Sequence, residues 1–189
     1  MRLATVVASL AISAFPVFAS EFAPAMEDYY ASSLSGWVQS PDIVSAIQAQ
    51  NAANANLGQS DIDALDQDWR ANVGDPGNAI IKPVLSSALA DALRERVEAS
   101  GGVITEIFVM DLHGLNVAAS GITSDMWQGD EAKFQKTYGA GAGAVHYSEV
   151  ELDESTQSYQ GQISVTISDP ASGNPIGAIT VGVDAESLI

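Results

Sequence analysis

Cysteine is absent from this 189-residue chain. With it go disulfides, thiol nucleophiles and Cys-ligated zinc or iron–sulfur sites, so the fold must hold by packing alone. Basic residues are scarce as well: 7 Lys and Arg stand against 24 Asp and Glu, a formal net charge of −17. A phosphate backbone has to be met by clustered cations, which excludes nucleic acid as a partner. Histidine occurs only at 113 and 146. His113 falls in a hairpin turn and His146 in a strand, a spacing that implies no metal site. Beyond the N-terminus no apolar run is long enough to span a bilayer, so the chain is not expected to be membrane-embedded. What is present is an ordinary 47% of hydrophobic residues, enough for a core, and one domain is the expectation at this length.

Several constellations lack the parts their chemistry needs. Asp61, Asp63, Asp66 and Asp68 have neither the central glycine nor the closing glutamate of a calcium loop, and a helix would spread them around its cylinder as a solvated face. Gly139, Gly141 and Gly143 are followed by no Lys-Ser/Thr pair that would cradle phosphate. Ser120 or Ser124 can be drawn into a triad with a histidine and an aspartate, but no motif supports the drawing, and a hydrolase ranks last among the functions considered. No enzyme activity and no cofactor are expected.

The N-terminus carries an address. Met1 and Arg2 form a short positive region, Leu3 to Phe15 is apolar, and Val17 and Ala19 place small residues where a signal peptidase reads them. Residues 1–19 are expected to be a cleaved secretory signal, the alternative being an uncleaved anchor. Cleavage would remove one basic residue and leave 6 against the 24 acids. The expected location is the periplasm.

From residue 20 the chain divides near Gly101-Gly102 into a helical segment, 20–101, and a strand-rich core, 102–189. Ser40-Pro41-Asp42 is an N-cap, a proline and an acid in a first turn, with Ile43 and Ile47 one turn apart. Ser60 and Asp63 start a second helix carrying Ile62, Leu65 and Trp69 on one face, ended by Gly74-Asp75-Pro76-Gly77. A third is expected from Pro83 to Ala99, and an earlier piece over residues 22–35. After the glycine pair the period becomes alternating. Ile104–Met110 and Leu115–Ala119 form a hairpin, Asp130–Tyr138 a short helix, and three strands follow: Ala144 to about Glu151, one around Val165, and Ile176–Val183. Asp153-Glu154-Ser155-Thr156 reads as a hairpin tip. This succession predicts an α+β fold around an antiparallel sheet of about five strands. N-terminal helices would pack on one face, and the segment between the second and third strands would cover the other.

The runs SGGVITEIFVMDLHGLNVAAS (100–120), TSDMWQGDEAKFQKTY (123–138) and DPASGNPIGAITVGVD (169–184) together resemble a Cache sensor domain of the periplasmic PDC type. The resemblance covers roughly residues 38–186. It implies a PAS-like fold and residues 20–189 as a single sensor domain that binds an extracellular solute in signal transduction. The pocket would lie between the sheet and a lid at Thr123–Tyr138. Receptors of this family place the domain between two membrane helices and follow it with a transmitter, whereas this sequence stops at Ile189. The expectation is a stand-alone version that acts through a partner protein, a membrane histidine kinase or chemoreceptor. A homodimer through the N-terminal helices and a structural module without ligand are the alternatives kept. The Arg, Trp and Tyr motif with which amino-acid-binding relatives hold their substrate is not found.

Within the lid, Asp125, Trp127, Gln128 and Asp130 bring two carboxylates, an amide and a large ring together. Polar groups beside an aromatic surface suit a small-molecule site. Ser120, Thr123, Lys133, Tyr138 and Tyr147 complete the expected ligand-binding set, with Tyr138 or Tyr147 able to join Trp127 around a cation. The alternative readings are Trp127 and Phe134 as core anchors and Asp130 as a helix cap. Lys133 and Lys136 are the only basic residues after Arg96, against twelve acids over 100–189. They would either neutralise a carboxylate ligand or pair with Asp130 and Glu131. The solute is thus a carboxylate or an amine: the acid excess favours a cationic or neutral molecule, the family's frequent use of carboxylates the reverse.

Overall fold

The structure is a computed structural model and describes residues 19–153 and 158–189. The leader expected over 1–19 falls, except for its last residue, outside the described residues, as do residues 154–156 of the expected hairpin tip. Five helices come first: α1 (Ala19–Tyr29), α2 (Pro41–Ala53), α3 (Gln59–Ala71), α4 (Ile81–Leu85) and α5 (Ala88–Ala99). The first continues through a π-helical turn at Tyr30–Leu34, which accounts for the helical piece expected over 22–35. After them run β1 (Ile104–Met110), β2 (Asn116–Ala119), α6 (Ala132–Gln135), β3 (Val145–Tyr147), β4 (Glu151–Asp153), β5 (Ser158–Ser168) and β6 (Pro175–Asp184). The result is an α+β fold with an open sheet in the order β2-β1-β6-β5-β3, in which β4 also pairs with β5 and every pairing is antiparallel. Among the described residues no helix is long and apolar enough to cross a membrane.

Two expectations are corrected by local chemistry. The helix expected from Pro83 to Ala99 is two helices, because the Ser87 hydroxyl accepts the Ala90 N–H at 3.1 Å and starts a new one. Serine competes for backbone donors and so favours caps over helix interiors. The strand expected over Ala144–Glu151 is likewise split, giving six strands instead of five. Ser148 still pairs with Gln162, donating its N–H at 2.9 Å and accepting the Gln162 N–H on Oγ at 2.8 Å. Glu151 then stands opposite Gln160, so the outer strand carries one residue more than β5 over this stretch. That is a bulge. It turns Val150 into the core, where Gly161 makes room: a Cβ there would sit 3.1 Å from Val150 Cγ2 and 2.9 Å from Met26 Sδ.

Strand alternation gives the sheet two unlike faces. Ile107 and Val109 of β1, Ile163, Val165 and Ile167 of β5, and Ile179, Val181 and Val183 of β6 point one way, into a core filled by Met26, Ile43, Ile47 and Leu93 of α1, α2 and α5. The opposite face carries Phe108, Met110 and Ala178, but also Ser164, Thr166 and Thr180, all three buried. Segment 122–138 lies over this second face as expected. It does not lie there alone, because α3 and α4 leave the other helices and pack Trp69, Ile62, Ile81 and Val84 against Met110, Leu115 and Met126.

Polar side chains of α2 tie the sheet's turns to the helical layer. Asn51 donates to Ile176 O at 2.8 Å and accepts the Leu112 N–H at 2.9 Å, while Gln50 and Asn54 donate to Asp111 at 3.0 and 2.9 Å. The other Asp111 oxygen accepts the His113 and Leu115 N–H groups, so this buried carboxylate is fully used in building the β1–β2 turn.

Trp69 is wholly buried and is the largest side chain joining α3 to the second face. Trp69→Ala is expected to cost about 3–5 kcal/mol in urea unfolding, and a loss under about 1 kcal/mol would contradict this packing.

Candidate functional site

On the second face, antiparallel register places Phe108 beside Thr180, Ser164 and His146, and one row further along places Glu106 beside Gly182 and Gln162. The two rows have different covers. Phe134 and Tyr138, stacked with their ring centroids 4.9 Å apart, belong to the cluster that packs over Phe108 and Ala178. Beneath them Ser164 and Thr180 satisfy each other through a 2.9 Å hydroxyl–hydroxyl bond. The Glu106 row has no such cover and forms the floor of a cleft of about 710 Å³. Its floor continues through Ser148, Gln160 and Glu151, and its wall is Ala132 and Lys136 of α6 and the residue beyond it, with His146 at the junction. This volume lies within the range of small-molecule sites, roughly 300–1,000 Å³.

Gly182 is what allows the floor to be flat. A Cβ at this position would come within 2.6 Å of Glu106 Cγ and 2.7 Å of Thr105 Oγ1. Without it, the Glu106 side chain crosses β6 and its Oε1 accepts a 3.0 Å hydrogen bond from Gln162 Nε2. The imidazole of His146 is held below its ordinary value of 6.5, first by burial and second by the Lys136 ammonium. His146 is therefore neutral at neutral pH, and among the described residues Lys136 is the one full positive charge lining the cleft.

The front half of the lid is fastened to α3. Asp66 Oδ1 accepts the N–H groups of Met126 and Trp127 at 3.0 and 3.1 Å, and its Oδ2 meets Arg70 Nε at 2.6 Å. Arg70 reaches on to Asp125 at 3.1 Å, and these carboxylates, Asp66 foremost, raise its pKa further. Trp69 Nε1 donates to Thr123 O at 2.9 Å. Asp66 is thus no part of a solvated acidic face: it is buried, because two backbone donors and a guanidinium converge on it.

The nine residues expected to bind ligand fall into separate places. Thr123, Asp125, Gln128 and Lys133 join one polar network: Thr123 Oγ1 donates to Asp125 O at 2.7 Å, Gln128 donates to the Asp125 carboxylate, and Lys133 donates to Gln128 Oε1 at 3.2 Å. Lys133 also pairs with Glu131 at 2.9 Å. Trp127 packs against the second-face cluster and donates from Nε1 to His113 O at 2.8 Å. Ser120 accepts the Ile107 N–H and opens onto a separate hollow beside α5. Asp130 is exposed, and the residue preceding α6 is Glu131, so Asp130 is not the helix cap. Tyr138 belongs to the covered half. Tyr147 alone of the nine lines the cleft. Lys136, weighed with Lys133 as a neutraliser, lines it too.

Sequence reasoning missed Glu106, Gln162 and Gly182. A signal existed: Gln160, Gln162, Ser164 and Thr166 alternate with Gly161, Ile163, Val165 and Ile167, and a polar face on a strand this central needs something polar to face.

No family model matches the chain, and no curated protein does. Similar solved structures are sensor and ligand-binding domains of chemoreceptors and histidine kinases. One is the ligand-binding domain of the Campylobacter jejuni chemoreceptor Tlp3 in complex with 4-methylisoleucine, at 11% identity and TM-score 0.41, over 89% of this chain and 62% of that one. A second is the ligand-binding domain of the Pseudomonas aeruginosa amino acid chemoreceptor PctC in complex with GABA, at 15% and 0.38, over 77% and 60%. A third is the sensor domain of the Vibrio cholerae histidine kinase DctB, at 15% and 0.35, over 85% and 59%. The chain thus spans about three fifths of the length of each. At these identities and scores, the functional reading has to be built from this chain's own residues.

Two outcomes follow from the geometry. Asp66→Ala strands two backbone donors and should cost about 1–3 kcal/mol for each in urea unfolding, whereas a solvated acid would change stability by less than about 0.5 kcal/mol. In an NMR titration His146 should titrate below 6.5, and Lys136→Gln should raise its midpoint. Because the fold prefers the neutral ring, the stability His146 contributes is complete above 6.5 and is lost as pH falls through the lowered folded value. A midpoint at or above 6.5 would contradict the burial described.

Proposed function

We propose that the chain is a Cache-type sensor domain that holds a small polar solute in the cleft between the second sheet face and α6, and passes its bound state to a partner protein. The observation that carries the reading is the division of one sheet face into a sealed apolar half and an open polar half of about 710 Å³. A polar floor on a central sheet is stable only while water or a solute satisfies it. Concave surfaces with a few convergent polar groups are where small ligands bind.

The site differs from the lid first expected. Asp66, Trp69 and Arg70 clamp residues 123–128, so the element free to respond is α6, a single turn. Lys133 links that turn to the clamp through Gln128. A charged solute that displaced Lys136 would shift α6 against this link and bias one arrangement of the lid over another. The partner that would read the shift is a membrane histidine kinase or chemoreceptor, residues 20–189 act as one domain, and the leader delivers them to the periplasm.

A second reading, an interaction module without ligand, draws on the packing of half-buried Trp127 against hydrophobic neighbours and on its Nε1 donating to His113 O. Thermal unfolding of residues 20–189 with a panel of carboxylates, amines, amino acids and purines separates the two. A solute bound only by the folded state raises the melting temperature, by an amount corresponding to about 2.7 kcal/mol at a hundredfold excess over Kd. The sensor reading expects a rise for at least one class, retained in Trp127→Phe and lost in Gly182→Leu, which fills the cleft floor. Silence across the panel would favour the interaction module.

A further inference from the structure

The charges around the cleft distinguish between the two ligand classes left open by the sequence. Glu106, Glu149 and Glu151 line it, and Lys136 is its single permanent cation, since His146 is neutral at neutral pH. A dicarboxylate placed there would meet one ammonium and three carboxylates. The carboxylates are also spread out. Glu106 lies on β1 and Glu151 on β4, with β6 and β5 between them and an offset of two residues along β5, which separates their backbones by about 14 Å across the strands and about 7 Å along them, roughly 16 Å. Two glutamates lining the cleft at such a distance leave a gap that suits an elongated molecule charged at both ends.

The floor between them is made of a carboxylate, amide groups and small residues. Gly182 presents no side chain, and the Glu106 carboxylate, having taken one hydrogen bond from Gln162, keeps lone pairs to spare. Gln162 spends an amide N–H on Glu106, which leaves its amide oxygen as an acceptor. Ammonium groups, with three donors each, are the complement of this surface. The chain's net charge of −17 adds a field that concentrates cations at its surface.

We propose that the cleft takes an organic dication, a linear diamine with one ammonium on Glu106 and the other toward Glu151. The proposal rests on the cleft being the solute site and goes beyond that reading by fixing the ligand's charge. Lys136 then works against affinity, and its repulsion is the lever by which an entering diamine displaces α6.

Isothermal titration calorimetry of residues 20–189 with 1,4-diaminobutane, succinate and L-isoleucine tests it. 1,4-diaminobutane should bind and the other two should not. Glu106→Gln should weaken it roughly tenfold, as expected for loss of a charge-assisted hydrogen bond. Lys136→Gln should tighten it, and Glu151→Gln, on an edge strand whose folding does not depend on it, should weaken it. Binding of succinate or L-isoleucine in place of the diamine, abolished by Gly182→Leu, would overturn the dication and leave the cleft as a solute site. No heat with any probe and no melting shift across the wider panel would overturn both.

Discussion

The alternation of β5 and β6 sends Ile163, Val165, Ile167, Ile179, Val181 and Val183 to one side of the sheet and Gln162, Ser164, Thr166, Thr180 and Gly182 to the other. The first side is a conventional core, satisfied by apolar side chains of α1, α2 and α5. The second is harder to seal by hydrophobic packing, because a hydroxyl or amide taken from water without a partner costs free energy, as Thr166 Oγ1, buried without a hydrogen-bond partner among the described residues, shows. Ser164 and Thr180 find each other, and the sheet is covered there. Around Glu106, Gly182 and Gln162 the covering stops, and a cleft remains. The site is thus a consequence of which strand positions are polar.

The segment over the second face divides in the same way. Its front half is held by charges and backbone hydrogen bonds: Asp66 takes two N–H groups and Arg70 bridges it to Asp125. Its back half is the single turn α6, anchored by Phe134 in the apolar cluster and carrying Lys136 at its C-terminal end on the cleft side. In the proposed function a ligand acts on this back half, through Lys136. Trp127, the most conspicuous residue of the segment, belongs to the rigid part.

Much of the fold could be read directly from the residues. The Ser40-Pro41-Asp42 start of α2, the glycine pair before β1, and the alternation in β1 and β6 are local signals, and local physics decides them. The failures lie where a side chain overrode periodicity: Ser87 restarting a helix, Ser148 and Val150 introducing a bulge. The site was less legible for a related reason. Helical spacing makes Asp66 a solvated acid, because it shows which residues share a face but not which distant N–H groups will point at them. Glu106, Gln162 and Lys136 come from β1, β5 and the end of α6, and only the strand order β1-β6-β5 brings them together. The lid concentrates polar and aromatic residues in sequence, and those residues mostly bond to one another.

The central claim is that the open half of the second face is the solute site. Chemical-shift mapping by two-dimensional NMR, with each of the carboxylates, amines, amino acids and purines titrated into residues 20–189, tests it most directly. At least one of them is expected to move the signals of Glu106, Lys136, His146 and Gln162 together while those of Thr123 to Gln128 move little. Shifts centred instead on Thr123 to Gln128 and Trp127, or no shifts from any compound, would contradict it.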